Sequence, residues 1–258
     1  MASVSNSGVS IKPIVIANWK MHSSRRESRN FANNFYSLVS ENKKLACDIV
    51  ICPPVTLISE LRDVLYESAI SLGGQDNHYE VSGPYTGDIS ATMLVDVGCS
   101  YVIIGHSENR REGDTNQLIK KKINFALNQK LNIIFCIGET LAEKIKHKTF
   151  LILRNQIKNT IQKKYDLNKI IIAYEPIWSI GTGKIPKAPE LKKTFKFIKN
   201  EFKKNFKTKT LPVVLYGGSV NGSNIVLFSS ISEIDGFLIG GASKSSKKFI
   251  DIIKNYYK

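Results

Sequence analysis

The sequence predicts a single α/β domain: a closed (β/α)8 barrel of eight parallel strands surrounded by helices. Eight short, apolar, β-branched runs alternate with longer amphipathic segments from one end of the chain to the other, the pattern of parallel strands joined by helices. No linker interrupts the alternation, and 258 residues suit one barrel of this kind. No GxGxxG follows the first run, which counts against an open doubly wound sheet.

In chain order the strands are expected at Pro13-Ile14-Val15-Ile16-Ala17, Asp48-Ile49-Val50-Ile51, Ile70-Ser71-Leu72-Gly73 and Tyr101-Val102-Ile103-Ile104. The second half supplies Asn132-Ile133-Ile134-Phe135, Lys169-Ile170-Ile171-Ile172, Pro212-Val213-Val214-Leu215 and Gly236-Phe237-Leu238-Ile239. All fall far short of the roughly 20 apolar residues a bilayer span needs, so they read as buried strands and no membrane partner is expected. Phe31, Phe35, Leu38 and Val39 in the first intervening segment, and Phe195, Ile198 and Phe202 in the sixth, recur at helical spacing. They are barrel-facing stripes, not cofactor contacts. Residues 1–10 are small and polar and read as a flexible tail without the basic-then-apolar pattern of a secretory signal. Residues 11–258 form the catalytic barrel.

The chain is 42% hydrophobic and 23% charged, an ordinary balance for a globular protein with a large core. Cys47, Cys52, Cys99 and Cys136 make no CxxC pair, so neither a redox motif nor disulfides are expected and a reducing cytoplasm is the natural home. The net charge of +15 raises the question of nucleic acid. Lys120-Lys121-Lys122, Lys163-Lys164 and Lys203-Lys204 lie in helical segments without interleaved aromatics, so they read as solvated helix faces with at most a mild steering effect on an anionic partner. No nucleic-acid partner is expected, although the charge leaves a secondary surface role open.

In such a barrel the site is built from the residues just beyond the C-terminal ends of the strands. There stand Asn18-Trp19-Lys20, Gly105-His106-Ser107-Glu108, Glu175-Pro176, Gly217-Gly218-Ser219 and Gly240-Gly241-Ala242-Ser243. One carboxylate, one imidazole and one ammonium beside two glycine turns suit proton transfer on a small anion. Glycines let backbone N–H groups approach a phosphate, and a helix N-terminus after them would add favourable potential. The four histidines, at 22, 78, 106 and 147, form no HxH or HExxH set, and no GxSxG is present. No metal and no cofactor are expected.

Taken together, Asn18-Trp19-Lys20-Met21, Gly105 to Glu108, Cys136-Ile137-Gly138-Glu139, Ala173 to Gly183, Tyr216 to Val220 and Gly240 to Ser243 closely resemble the motifs of the triosephosphate isomerases, in order. Tyr85-Thr86-Gly87-Asp88-Ile89-Ser90 in the long third loop extends the likeness. The resemblance implies a TIM barrel that interconverts dihydroxyacetone phosphate and D-glyceraldehyde 3-phosphate through an enediolate, in glycolysis and gluconeogenesis. It implies Glu175 as the base, His106 as a neutral electrophile on the carbonyl, and Lys20 as the cation holding substrate and developing charge, with Asn18 beside it. It makes Pro176 to Lys184 a mobile lid whose Gly181 closes over the phosphate, with Ser219, Gly240 and Gly241 as further backbone donors. It also implies a homodimer through the third loop around Thr86. A helix starting near Ser107 would help keep His106 deprotonated.

Three positions depart from the family pattern. Asn109 replaces a common arginine in a stretch that looks one residue short, Asp114 stands where a glutamate is usual, and Asp76 puts a charge where an amide is expected. These put stability and interface packing in question more than chemistry. Another phosphate-binding barrel enzyme would lack Asn18-Trp19-Lys20 together with the Trp178 to Gly183 segment, and a catalytically dead barrel would have lost Lys20, His106 or Glu175. All are present.

Overall fold

A computed structural model describes residues 12–41, 47–208 and 211–257. The tail expected at 1–10 lies outside them. Eight parallel strands close on themselves in sequence order: β1 (Ile14–Asn18), β2 (Asp48–Cys52), β3 (Ile70–Gly74), β4 (Tyr101–Ile104), β5 (Asn132–Ile137), β6 (Ile170–Tyr174), β7 (Val214–Tyr216) and β8 (Gly236–Ile239). β1 pairs with β2 on one side and with β8 on the other, which completes the barrel. Around it run α1 (Arg25–Glu41), α2 (Ile58–Leu65), α3 (Ala91–Asp96), α4 (Ser107–Arg111), α5 (Asn116–Asn128), α6 (Leu141–Ile145), α7 (Thr149–Thr160), α8 (Ala188–Phe206) and α9 (Ser246–Tyr256). No helix among the described residues is long and apolar enough to cross a membrane.

The strands read as unbroken apolar runs because both their faces are buried. Val15, Ala17, Ile49, Ile51, Ile172 and Tyr174 face the helices and join Phe31, Phe35, Phe195, Ile198 and Phe202 in one large outer core. Ile14, Ile16, Val50, Ile103, Ile134, Ile171, Leu215 and Leu238 fill the barrel interior as a second cluster. Leu38 and Val39 pack against the outer core only in part. The seventh strand begins at Val214, two residues later than expected, because Pro212 has no N–H to give to a ladder.

That alternation positions the site. Continuing the inward parity of Ile14 and Ile16 brings Asn18 to the barrel mouth, and Ile171 and Ala173 lead likewise to Glu175. Leu215 leads to Gly217 and Leu238 to Gly240 in the same way.

Candidate active site

Lys20 reaches the mouth through a left-handed backbone, φ 56°. A lysine there costs of order 1 kcal/mol or more and persists only where its surroundings fix it. Here Asn18 Oδ1 accepts the Lys20 N–H at 3.1 Å, and Gln75 Nε2 donates to Lys20 O at 3.0 Å and to Cys52 O at 2.9 Å. Trp19 between them is buried, edge-on to Phe31 with 4.8 Å between centroids. The Lys20 ammonium lies 2.6 Å from Glu108 Oε1. Although burial raises the Glu108 pKa, the hydrogen bond from Lys20 and the nearby His106 bring it net below the usual value.

His106 follows β4 through a left-handed turn at Gly105, φ 75°, and serves as N-cap of α4. Its Nδ1 accepts the Glu108 backbone N–H at 3.2 Å. An accepting Nδ1 carries a lone pair, so the ring proton of the neutral imidazole sits on Nε2. Nε2 lies 3.2 Å from Glu175 Oε1. The helix expected after His106 is therefore present, but it does not set the ring's protonation alone. Burial lowers the imidazole pKa most, yet Glu175, by charge and hydrogen bond, together with Glu108 turns the net direction upward.

Glu175 is 3% exposed, and its Oε2 is buried with no hydrogen-bond partner. Its backbone is clamped to the neighbouring strand, Glu175 N to Ile137 O at 2.7 Å. Two glycines shape its seat. A Cβ on Gly138 would stand 1.8 Å from Glu175 O, and one on Gly217 would stand 2.8 Å from Glu175 Cγ. Asn18, Lys20, His106, Glu175, Gly181, Ser219, Gly240 and Gly241 all line one cavity of about 700 Å³ at the barrel mouth, together with Lys244 and Lys248.

A sequence model of the family described as Triosephosphate isomerase matches residues 13–256. The triosephosphate isomerase of Dictyoglomus thermophilum is 40% identical over 249 residues, covering 95% of this chain and 99% of that one. The chain belongs to the triosephosphate isomerase family. The triosephosphate isomerase of Geotalea uraniireducens is 39% identical over 248 residues, 94% of this chain and 98% of the relative. The crystal structure of triosephosphate isomerase from Bartonella henselae superposes with a TM-score of 0.87 at 35% identity, covering 96% of this chain and all of that one.

In this isomerase the segment from Pro176 to Lys184 is tied down at both flanks. Trp178 Nε1 donates to Glu139 Oε1 at 3.0 Å, and Tyr174 Oη contacts both oxygens of the same carboxylate at 3.2 and 3.1 Å. Burial holds the Glu139 pKa above the usual carboxylate range. Farther along, Ser219 Oγ donates to Ser179 O at 2.5 Å, and the Gly183 N–H reaches Ser219 Oγ at 3.3 Å. Gly181 and Gly183 have φ of 68° and 74°, and nothing lies within 4 Å of a Cβ on either. Glycine is required there by the backbone and not by space.

The two glycine turns after β7 and β8 differ from the expectation that a helix N-terminus comes after each. Gly240-Gly241 does enter a single 3-10 turn directly, Gly241–Lys244. After Gly217-Gly218 the next helical turn starts only at Ile225. Gly217 serves to admit Glu175, and a Cβ on Gly218 would collide with Tyr216 Oη at 2.2 Å.

Reading residues singly misses Glu108 as the partner of Lys20 and Gly138 as part of the Glu175 seat. Both stand within family motifs, and the signal for them is their place after β4 and β5 at the catalytic face. Among the described residues no group of three His, Cys, Asp or Glu side chains could hold a metal ion.

The departures at Asp76 and Asp114 resolve into one structure. Lys122, 7% exposed, places its Nζ 2.6 Å from Asp76 Oδ2 and 2.9 Å from Asp114 Oδ1. Each added or shortened carboxylate meets the same buried ammonium, so the charge that stood in question has a partner. Burial raises the Asp76 pKa, while Lys122, despite its own burial, is held net above the ordinary lysine value by the two aspartates.

Proposed function

We propose that Glu175, His106 and Lys20 carry out the interconversion of dihydroxyacetone phosphate and D-glyceraldehyde 3-phosphate. The observation that supports this most is the free, buried Oε2 of Glu175 beside the Nε2–H of His106. The carboxylate takes a proton from the carbon next to the carbonyl. As the electron pair moves into a new C–C double bond, negative charge grows on the carbonyl oxygen. The His106 N–H, neutral and donating, and the Lys20 ammonium stabilise that oxygen. Protonated Glu175 then returns the proton to the neighbouring carbon, while the hydroxyl proton of the first carbon passes by way of His106 to the former carbonyl oxygen, so a carbonyl forms on the first carbon and no redox partner or cofactor is consumed. A substrate oxygen seated at His106 displaces the Glu175 contact that pulls the imidazole pKa up, so the ring stays neutral in the complex.

Asn18 positions Lys20. Gly181, Ser219, Gly240 and Gly241 supply backbone N–H groups to the phosphate, and residues 176–184 close over it to exclude water. A coupled assay in both directions tests the activity; no interconversion by the purified protein would overturn it.

The active form is a homodimer through the loop of residues 75–87. Val81 and Tyr85 on this loop are 56% and 37% exposed and Thr86 is exposed. Its base is stiffened by His78, whose ring centroid lies 4.0 Å from that of Tyr85 and 4.2 Å from that of Tyr79. An ordered knob with an apolar tip suits insertion into a second copy. Sedimentation at assay concentration tests this, and a fully active monomer would contradict it. Four buried thiols without disulfides, Cys47, Cys52, Cys99 and Cys136, fit a reducing cytoplasm as the site of action.

A further inference from the structure

Lys144 stands on α6, a short way along the chain from Glu139 and outside the cavity that receives the substrate. Its ammonium lies 3.8 Å from the centroid of the Trp178 ring, and 3.0 Å from Glu190 Oε2. These two partners flank the segment 176–184: Trp178 stands near its start, and Glu190 lies in the first turn of α8, the helix the segment leads into. One cation therefore joins the start of the lid to the helix that follows it.

The placement of that cation is well fixed. α6 opens with a reciprocal cap in which Thr140 Oγ1 accepts the Glu143 N–H at 3.2 Å and Glu143 Oε2 accepts the Thr140 N–H at 2.7 Å. The Trp178 indole is gripped twice by this one short stretch, at its N–H edge by Glu139 and on its face by Lys144. The two grips are chemically distinct. A carboxylate fixes the edge by hydrogen bonding, whereas an ammonium is drawn to the negative face of the π system. The Lys144 and Glu190 side chains are 32% and 52% exposed, so the ion pair alone is screened and weak. Its use is to hold the ammonium over the ring and to link ring to α8.

We propose that Lys144 is a positioning residue for the isomerisation, a charged clasp that holds both flanks of the lid in register through Trp178 on one side and Glu190 on the other. This rests on the reading that residues 176–184 seal the substrate. A loosened flank lowers the fraction of turnovers in which the closed geometry survives as long as the enediolate. In an unsealed site the enediolate breaks its bond to the phosphate oxygen. The electron pair leaves with inorganic phosphate, and the remaining enol becomes methylglyoxal. No further reactant is needed. The signature of a failed clasp is thus a lower kcat together with more methylglyoxal per turnover. Ground-state binding, which depends on Lys20 and the backbone donors, changes little.

The test compares Lys144→Met, which keeps an apolar stem without charge, Lys144→Arg, which restores a cation that stacks on rings, and Glu190→Gln. Deletion of Ile180-Gly181-Thr182-Gly183 serves as the lid control. For each, kcat, KM, methylglyoxal per turnover and melting temperature are measured. Lys144→Met is expected to lower kcat roughly two- to fivefold and to raise methylglyoxal per turnover by a similar factor, with KM within about twofold. Lys144→Arg should restore both, and Glu190→Gln should shift both in the same direction by less. Wild-type methylglyoxal per turnover in Lys144→Met overturns the proposal, as does an arginine variant as impaired as the methionine one. Should Lys144→Met not fold, Glu190→Gln decides from the α8 side, and no rise there overturns the clasp. A rise in the deletion variant without one in Lys144→Met removes the clasp and leaves the lid standing; no rise in either removes both.

Discussion

Nε2 of His106 lies 3.2 Å from Oε1 of Glu175 while Nδ1 of the same ring accepts a backbone N–H from Glu108, also at 3.2 Å. The backbone thus claims one ring nitrogen, and the ring's proton is left facing the carboxylate. Carboxylate and ring N–H meet across a 3.2 Å gap, the place where the proposed mechanism seats a substrate oxygen.

This pairing makes stability depend on pH. The folded protein raises the His106 pKa above its ordinary value of 6.5. A raised folded pKa means the fold favours the protonated ring. The associated stabilisation is complete below the unfolded value and is lost as pH rises through the folded one. The stability advantage of the wild type over His106→Gln, from urea unfolding, is therefore expected to be larger near pH 5.5 than near pH 8.5. An advantage that grows with pH would contradict it.

Glu108 holds the Lys20 ammonium at 2.6 Å and donates through its backbone N–H to His106 Nδ1, the cap of α4. Glu108→Gln keeps the backbone and releases the side-chain grip. A loss of roughly tenfold in kcat/KM is expected, because a misplaced cation stabilises the developing oxyanion less. Unaltered kcat/KM would show that Lys20 is oriented by Asn18 and Gln75 alone.

Lys122 is the only described cation within ion-pair distance of Asp76 or Asp114. Lys122→Met leaves two carboxylates facing each other, so unfolding in urea should reveal a loss of about 3 kcal/mol. Asp76→Asn, which leaves the Asp114 contact intact, should lose less. Equal losses would mean that the three groups do not act as one network.

Deleting Ile180-Gly181-Thr182-Gly183 is expected to lower isomerisation steeply and to divert a larger share of turnovers to methylglyoxal and phosphate. A mere surface connection would tolerate the cut. Unchanged isomerase activity with no added methylglyoxal counts against a water-excluding lid, even with Glu175 intact as base.

Much of this architecture is legible in the chain. The doubly buried strands announce themselves as continuous Ile and Val runs, and inward parity carries Asn18 and Glu175 to the mouth from Ile16 and Ala173. Relationships across long sequence separations escape such reading. Lys20 and Glu108 are 88 residues apart, and Asp76 and Lys122 are 46 apart. No periodicity links such positions, so Asp76 reads as an unexplained charge and Lys122 as part of a solvated lysine run. The role of Gly217 is obscured for a different reason. A glycine at a turn looks the same whether it admits a phosphate or, as the 2.8 Å that a Cβ on Gly217 would leave to Glu175 Cγ shows, the neighbouring side chain.

The central claim is that the Glu175 carboxylate is the base that moves the substrate's proton, and steady-state kinetics of Glu175→Asp tests it most directly. Shortening the side chain by one methylene withdraws the carboxylate by about 1 Å, a displacement that typically loses about 100-fold in rate. The predicted result is a fall in kcat of about two orders of magnitude or more, with KM changed only a few-fold. Wild-type turnover in a folded Glu175→Asp variant would contradict it.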